Sequence, residues 1–113
     1  MLYTVSAIAP FDIVPGYHAH MIHTETMTLA YVSVDAGAAL PEHAHVQEQV
    51  LNLLEGHFEL VLGGQRLTLE AGQVVVIPSN VPHSGRAITA CRILDVFHPV
   101  REDFKNKTVN YSS

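Results

Sequence analysis

The chain has 113 residues, room for one domain, since a second would have too little core of its own. An apolar fraction of 48% against 15% charged describes a globular protein, and a net charge of −5 without a basic stripe excludes the usual nucleic-acid binder. No apolar run approaches the roughly 18 residues that span a bilayer, and Cys91, the single cysteine, cannot build a disulfide framework.

The N-terminus, Met1-Leu2-Tyr3-Thr4-Val5, has no basic region ahead of an apolar stretch, so no signal peptide is expected and the cytoplasm is the expected compartment. Leu2–Ile8 is apolar enough to add a strand to a partner's sheet edge, which predicts a homodimer. Short apolar or alternating runs then predict strands at His18–Thr24, Thr26–Asp35, Gln49–Leu54, Phe58–Leu62, Gln65–Leu69, Gln73–Ile77, His83–Ala87 and Arg92–Phe97. Asp35-Ala36-Gly37, Glu55-Gly56, Gly63-Gly64, Glu70-Ala71-Gly72 and Pro78-Ser79-Asn80-Val81-Pro82 break the runs. Gly63-Gly64 is a two-residue connection that permits the positive φ angles of a primed hairpin turn. Pairing outward from it sets Leu60 opposite Leu67 and Phe58 opposite Leu69 on one face, with Glu59 and Thr68 meeting on the other. Val100–Ser113 turns polar and is expected to form a short helix or a tail on the body. The prediction is one all-β domain over residues 1–113, a small sandwich or closed barrel.

Eight histidines outnumber Lys and Arg together. His43-Ala44-His45 begins where a loop enters a strand, and residues two apart in extended chain project to the same side. Gln49, four positions beyond His45, returns to that face with a neutral amide oxygen. His83 opens a later strand behind the Pro78–Pro82 loop. Three imidazoles and one oxygen suit one divalent transition metal, Mn, Fe, Co, Ni, Cu or Zn, with positions left for water or substrate. The ordinary alternative is surface or core packing, and His18-Ala19-His20 has the same spacing. The two pairs differ in their surroundings.

Around the second pair the order is Gly37, five residues, His43-Ala44-His45, three residues, Gln49, six residues, Gly56; later come Gly72, five residues, Pro78, then Asn80, two residues, His83. This spacing resembles the paired motifs of the cupin superfamily, which implies a double-stranded β-helix, a jelly-roll-like barrel with a metal in its mouth, across roughly Ala30 to Phe104. Three departures stand out: Gln49 where the family usually has Glu, Asn80 where it has Gly, and Ala87 where it has Asn. Asn tolerates left-handed φ/ψ, so the second is physically mild. His18 and His20 lack this frame and are expected to be structural or to form an outer wall of the pocket.

His45-Val46-Gln47-Glu48-Gln49 and Leu94-Asp95-Val96-Phe97-His98-Pro99-Val100-Arg101-Glu102-Asp103-Phe104 look like the pectin-degradation cupins that open 4,5-unsaturated uronates. That resemblance implies metal binding by His43, His45, Gln49 and His83, and a substrate pocket lined by Asp95, Phe97 and Arg101, with His98 replacing a small residue on that wall. It implies Asp95 as general acid and base, Arg101 as a fork for the substrate carboxylate, and a small-molecule sugar acid as the partner. Taken alone, Asp95 reads as a solvent-facing strand residue, Arg101 as a salt-bridge partner near Glu102 and Asp103, and Phe97 as core. Glu48 and His57 are expected to face solvent, Cys91 to be a buried inert thiol, and Met21 and Met27 to line the barrel or core. Alternative functions are an Fe- or Mn-dependent oxidoreductase of the dioxygenase type and a non-catalytic sugar- or small-molecule-binding module.

Overall fold

The computed structural model describes residues 1–107 and Tyr111. After a 3-10 turn at Val5–Ala7, the strands run β1 (Phe11–Asp12), β2 (Tyr17–His23), β3 (Thr28–Val34), β4 (Ala39–His43), β5 (Glu48–Glu55), β6 (His57–Leu62), β7 (Gln65–Glu70), β8 (Val74–Ile77), β9 (His83–Ala87) and β10 (Cys91–His98), followed by the helix α1 (Glu102–Lys105). One sheet has the order β1-β2-β3-β10-β5-β8, the other β4-β9-β6-β7, and every pairing is antiparallel. The two sheets face each other across a core of Tyr17, Ala19, Val32, Leu51, Leu53, Phe58, Leu60, Ile77, Ile93 and Phe97. These residues are the alternate positions of their strands, as a sheet with one face on the core requires. The predicted all-β sandwich is the fold observed.

All eight predicted strands are present with ends within two residues. The Gly63-Gly64 turn has both φ angles positive (54° and 83°), and Leu60 pairs with Leu67, Phe58 with Leu69 and Glu59 with Thr68. Two strands escaped the sequence. β1 is too short to show a period. β4 contains Pro41, which argues against a strand, but β4 is a sheet edge, where a missing N–H is tolerated, and its register shifts between Leu40 and His43. Within this single chain Leu2–Ile8 joins no sheet. That segment carries the 3-10 turn instead, and the His20 ring, 2.6 Å from the Ile8 carbonyl through Nδ1, ties it to β2. Of the polar C-terminal stretch, α1 packs by Phe104, and the residues beyond 107 apart from Tyr111 lie outside the described residues.

Gly56 makes the β5–β6 connection possible. Its φ is +93°, and a Cβ there would collide with the Ala90 carbonyl and sit 2.8 Å from Cys91 Sγ. Gly56→Ala is expected to cost about 2–4 kcal/mol, from left-handed strain plus a clash with fixed backbone. Urea unfolding of the two proteins checks this, and a loss below about 1 kcal/mol would contradict it.

Candidate metal centre

Three strand ends bring the histidines together. His43 closes β4 and is the register partner of His83, which opens β9; His45 follows His43 in the loop leading to β5. The loop is held by the Asn80 N–H, which donates to the His45 carbonyl at 2.8 Å from a residue with φ 65°. Ring centroids are 4.2 Å apart for His43 and His83, 5.0 Å for His45 and His83, and 5.8 Å for His43 and His45. One ring nitrogen from each lies within 4.8 Å of the others, close enough to share a cation.

The hydrogen bonds decide which nitrogens those can be. Each Nδ1 meets a backbone carbonyl: Pro41 at 2.7 Å for His43, Gln47 at 2.9 Å for His45, Val81 at 2.9 Å for His83. A carbonyl only accepts, so each Nδ1 carries the proton and each Nε2 keeps its lone pair. His83 Nε2 is buried with no partner among the described residues. Burial, the largest cause, lowers the pKa of His43 and His45 to about 4 and lowers that of His83. The imidazoles are therefore neutral at pH 7, the form that binds metal. Gln49 is the first inward residue of β5; its Oε1 lies 3.1 Å from His45 Nε2, and its Nε2 donates to Asp95 Oδ1 at 2.8 Å. The carboxylate thus turns the amide oxygen toward the imidazole lone pairs. Lone pairs facing each other at that distance fit a cation between them, so this donor set suits a divalent transition metal.

Asp95 sits on β10 behind Gln49. Burial pushes its pKa up to about 7, against the opposing pull of the Gln49 hydrogen bond and the Arg101 charge. Arg101 is buried, with its guanidinium 4.8 Å from the Phe97 ring centroid and 3.8 Å from that of Phe104. Its Nε and Nη2 donate to the two Asp103 oxygens at 2.9 and 2.7 Å, and Nη2 also donates to the Tyr111 hydroxyl at 2.9 Å. The Tyr111 ring stands edge-on to His43 with centroids 4.6 Å apart. Tyr17, 4% exposed, points a hydroxyl without a partner among the described residues into this region. Tyr17, His43, Gln49, His83, Asp95 and Arg101 all line one cavity of about 40 Å³.

A cupin-domain family model matches residues 30–97. The chain belongs to the cupin family. Among solved structures, this cupin is similar to KdgF from a Halomonas species, with 26% identity and a TM-score of 0.85 over 92% of this chain and 97% of that one. It is also similar to an RmlC-like cupin from Shewanella frigidimarina, with 29% identity and a TM-score of 0.86 over 91% and 94% of the two chains. A salicylate 1,2-dioxygenase from Pseudaminobacter salicylatoxidans aligns with 25% identity and a TM-score of 0.73, over 79% of this chain and 28% of the larger enzyme. An uncharacterised Streptomyces coelicolor protein is 26% identical over 85 residues, 74% of this chain and 81% of its own length.

In this cupin the four residues singled out for metal meet at one point, and Asp95, Phe97 and Arg101 lie around the same cavity. Phe97 packs its ring 5.5 Å from that of His45, so it is a wall of the site and part of the core at once. His98 does not belong to the pocket. Strand alternation turns it outward when Phe97 turns in, and it is exposed beside Glu48 on the opposite face. Arg101 is already engaged by Asp103, as the rim reading of its neighbourhood allowed. His18 and His20 face away from the core: His18 lies 2.7 Å from Asp12 and 3.2 Å from Asp35 through its two ring nitrogens, and His20 holds the N-terminal segment. Met21 packs on the core as expected, whereas Met27, beside the β2–β3 turn, is exposed. Tyr17 and Tyr111 carried no sequence signal. Neither sits at a motif spacing, and only the fold brings them to the cavity.

Proposed function

We propose that this cupin is a metal-dependent isomerase that opens 4,5-unsaturated uronate monomers of pectin or alginate breakdown. The observation that carries the reading is the chain from three neutral, carbonyl-pinned imidazoles through the Gln49 amide to a half-buried Asp95. The likeness to KdgF over nearly the whole of both chains supports it. When bound by His43, His45, Gln49 and His83, a divalent metal would supply Lewis-acid polarisation and a template, without redox change.

The remaining work falls to the chain's own groups. Ring opening removes the proton of the anomeric hydroxyl, forms the C1 carbonyl and breaks the C1–ring oxygen bond, whose electron pair leaves on the oxygen as an enolate. Protonation of C4 then gives the ketone, so product and substrate are isomers. Asp95, with its pKa near 7, can take the first proton as carboxylate and return one as acid. Arg101 Nη1, which makes no hydrogen bond among the described residues, is the arm offered to the substrate carboxylate. The Tyr17 hydroxyl, without a partner among the described residues, serves as a donor to a sugar oxygen, and Phe97 keeps water from the reacting face.

The 40 Å³ cavity holds an ion and water but not a hexuronate, for which sites of about 300 Å³ or more are usual. Tyr111, wedged between His43 and Arg101, is the side chain that must swing out. Tyr111→Ala is accordingly expected to lower KM severalfold with kcat nearly unchanged. A higher KM would instead make Tyr111 a substrate contact.

The test is loss of the conjugated enol-ether absorbance of an unsaturated uronate under strict anaerobiosis, with metal-loaded and chelated protein compared with the spontaneous rate. Acceleration by the loaded protein alone supports the isomerase. Oxygen-dependent turnover of an aromatic acid with no uronate activity would support a dioxygenase, the second reading that the salicylate dioxygenase likeness motivates.

A further inference from the structure

An ion pair around a buried cation adds little net stability, because desolvation offsets most of the attraction. Arg101 and Asp103 form such a pair in the wall of the cavity, with the Arg101 side chain 3% exposed and that of Asp103 40%. Asp103 Oδ1 accepts the Nε–H at 2.9 Å and Oδ2 accepts one Nη2–H at 2.7 Å, which fills one side edge of the planar guanidinium. The Phe104 and Phe97 ring centroids lie 3.8 and 4.8 Å from its central carbon. The backbone is pinned as well, since the Arg101 N–H donates at 3.0 Å to the hydroxyl of fully buried Thr28. A long, rotamer-rich side chain is thus fixed in direction as well as in place.

A guanidinium has about five N–H donors to place. Asp103 takes two and the Tyr111 hydroxyl takes the other Nη2–H at 2.9 Å, while Nη1 makes no hydrogen bond among the described residues. We propose that Asp103 is the positioning residue of a carboxylate site: by filling the side edge of Arg101 it reserves the end edge, one Nη1–H and the second Nη2–H, for a ligand carboxylate. The Tyr111 hydroxyl occupies the place of one carboxylate oxygen and leaves when the ligand enters. Two parallel N–H bonds then match the two oxygens, the geometry that separates a carboxylate from an alcohol or an ester. That the ligand is a uronate rests on the reading above; the direction of the fork does not.

Charge and position predict opposite signs. Asp103 places a negative charge beside the site, so by attraction alone its loss would tighten the binding of an anion. A guanidinium released from its clamp must instead be ordered at each binding event, which weakens binding. Calorimetric titration of the full, metal-loaded chain with a saturated 4-deoxyuronate, which has no enol ether to open, and with its neutral methyl ester reads that sign. The wild type is expected to prefer the acid at least tenfold. Asp103→Asn is expected to lose at least tenfold in affinity for the acid and to keep its affinity for the ester, with metal content and circular dichroism unchanged. Asp103→Glu keeps the charge but moves it by one methylene; it is expected to lose affinity for the acid as well, and decides alone if Asp103→Asn fails to fold. In an Arg101→Ala background Asp103→Asn is expected to add no further loss. Unchanged or tighter binding of the acid by a folded Asp103 variant, or a wild type that does not prefer acid to ester, overturns the positioning role. A wild type that binds the acid through this fork yet leaves unsaturated uronate decay at its spontaneous rate strikes the isomerase reading and keeps the fork.

Discussion

Replacing His83 with alanine is expected to leave the protein without tightly bound metal and without turnover. His83 is the most buried of the three imidazoles, and its Nε2 has no partner among the described residues. Loss of an outer-shell partner already costs 10–100-fold in metal affinity, so loss of a ligand is expected to exceed about 100-fold. The site also has an independent thermodynamic signature. An unsatisfied buried nitrogen costs the chelated protein roughly 1–3 kcal/mol of desolvation. His83→Leu removes that nitrogen and keeps much of the volume, so the chelated variant should melt no lower than chelated wild type. Wild type alone should gain melting temperature on adding metal, by mass action. Unchanged metal content in His83→Ala, measured by elemental analysis after gel filtration, would remove His83 from the site.

Asp95→Asn is expected to lower kcat by about 10²–10⁴-fold, the range for a positioned acid–base group, while metal stays bound. The amide keeps an oxygen for the Gln49 N–H, so the ligand geometry survives and only proton transfer is lost. The wild-type kcat should fall as pH drops through about 7, because the carboxylate that takes the first proton is being protonated. A stability measurement gives a second readout. The folded pKa lies above the unfolded value, so the wild type is relatively stabilised below the unfolded pKa and loses that stability as pH rises through about 7. Asn never ionises, so chelated Asp95→Asn should gain stability relative to chelated wild type as pH rises from the unfolded carboxyl range to about 7. An active Asp95→Asn, or one that loses its metal, would contradict the role.

The barrel and its metal cluster were legible because both rest on period-two spacing. Alternation placed Phe58, Leu60, Leu67 and Leu69 on one face, and the same rule set His43, His45 and Gln49 toward one point. Asn80 was legible too: its tolerance of positive φ is the property that lets its N–H reach the His45 carbonyl. His98 was misread by the resemblance and would have been placed correctly by alternation from Phe97. The 3-10 turn of the N-terminal segment was not legible for a different reason. Apolar content of Leu2–Ile8 allows a strand but does not require one, and the His20 ring ties the end of the segment to β2. Tyr17 and Tyr111 reach the cavity across more than twenty and sixty residues of chain from His43, a proximity that only the closed sandwich creates. The pairing of Arg101 with Asp103 was half visible, since the two lie two residues apart, but bidentate geometry is a property of the folded turn.

Turnover of an unsaturated uronate is expected to depend on one metal ion held by His43, His45, Gln49 and His83. Titrating a divalent metal into chelated protein, with bound metal and anaerobic uronate decay read on the same samples, tests it most directly. Activity is expected to rise in proportion to occupancy and to saturate at one ion per chain, with neither signal in His83→Ala. Full activity in the chelated protein, or saturating metal with decay no faster than the spontaneous rate, would contradict it.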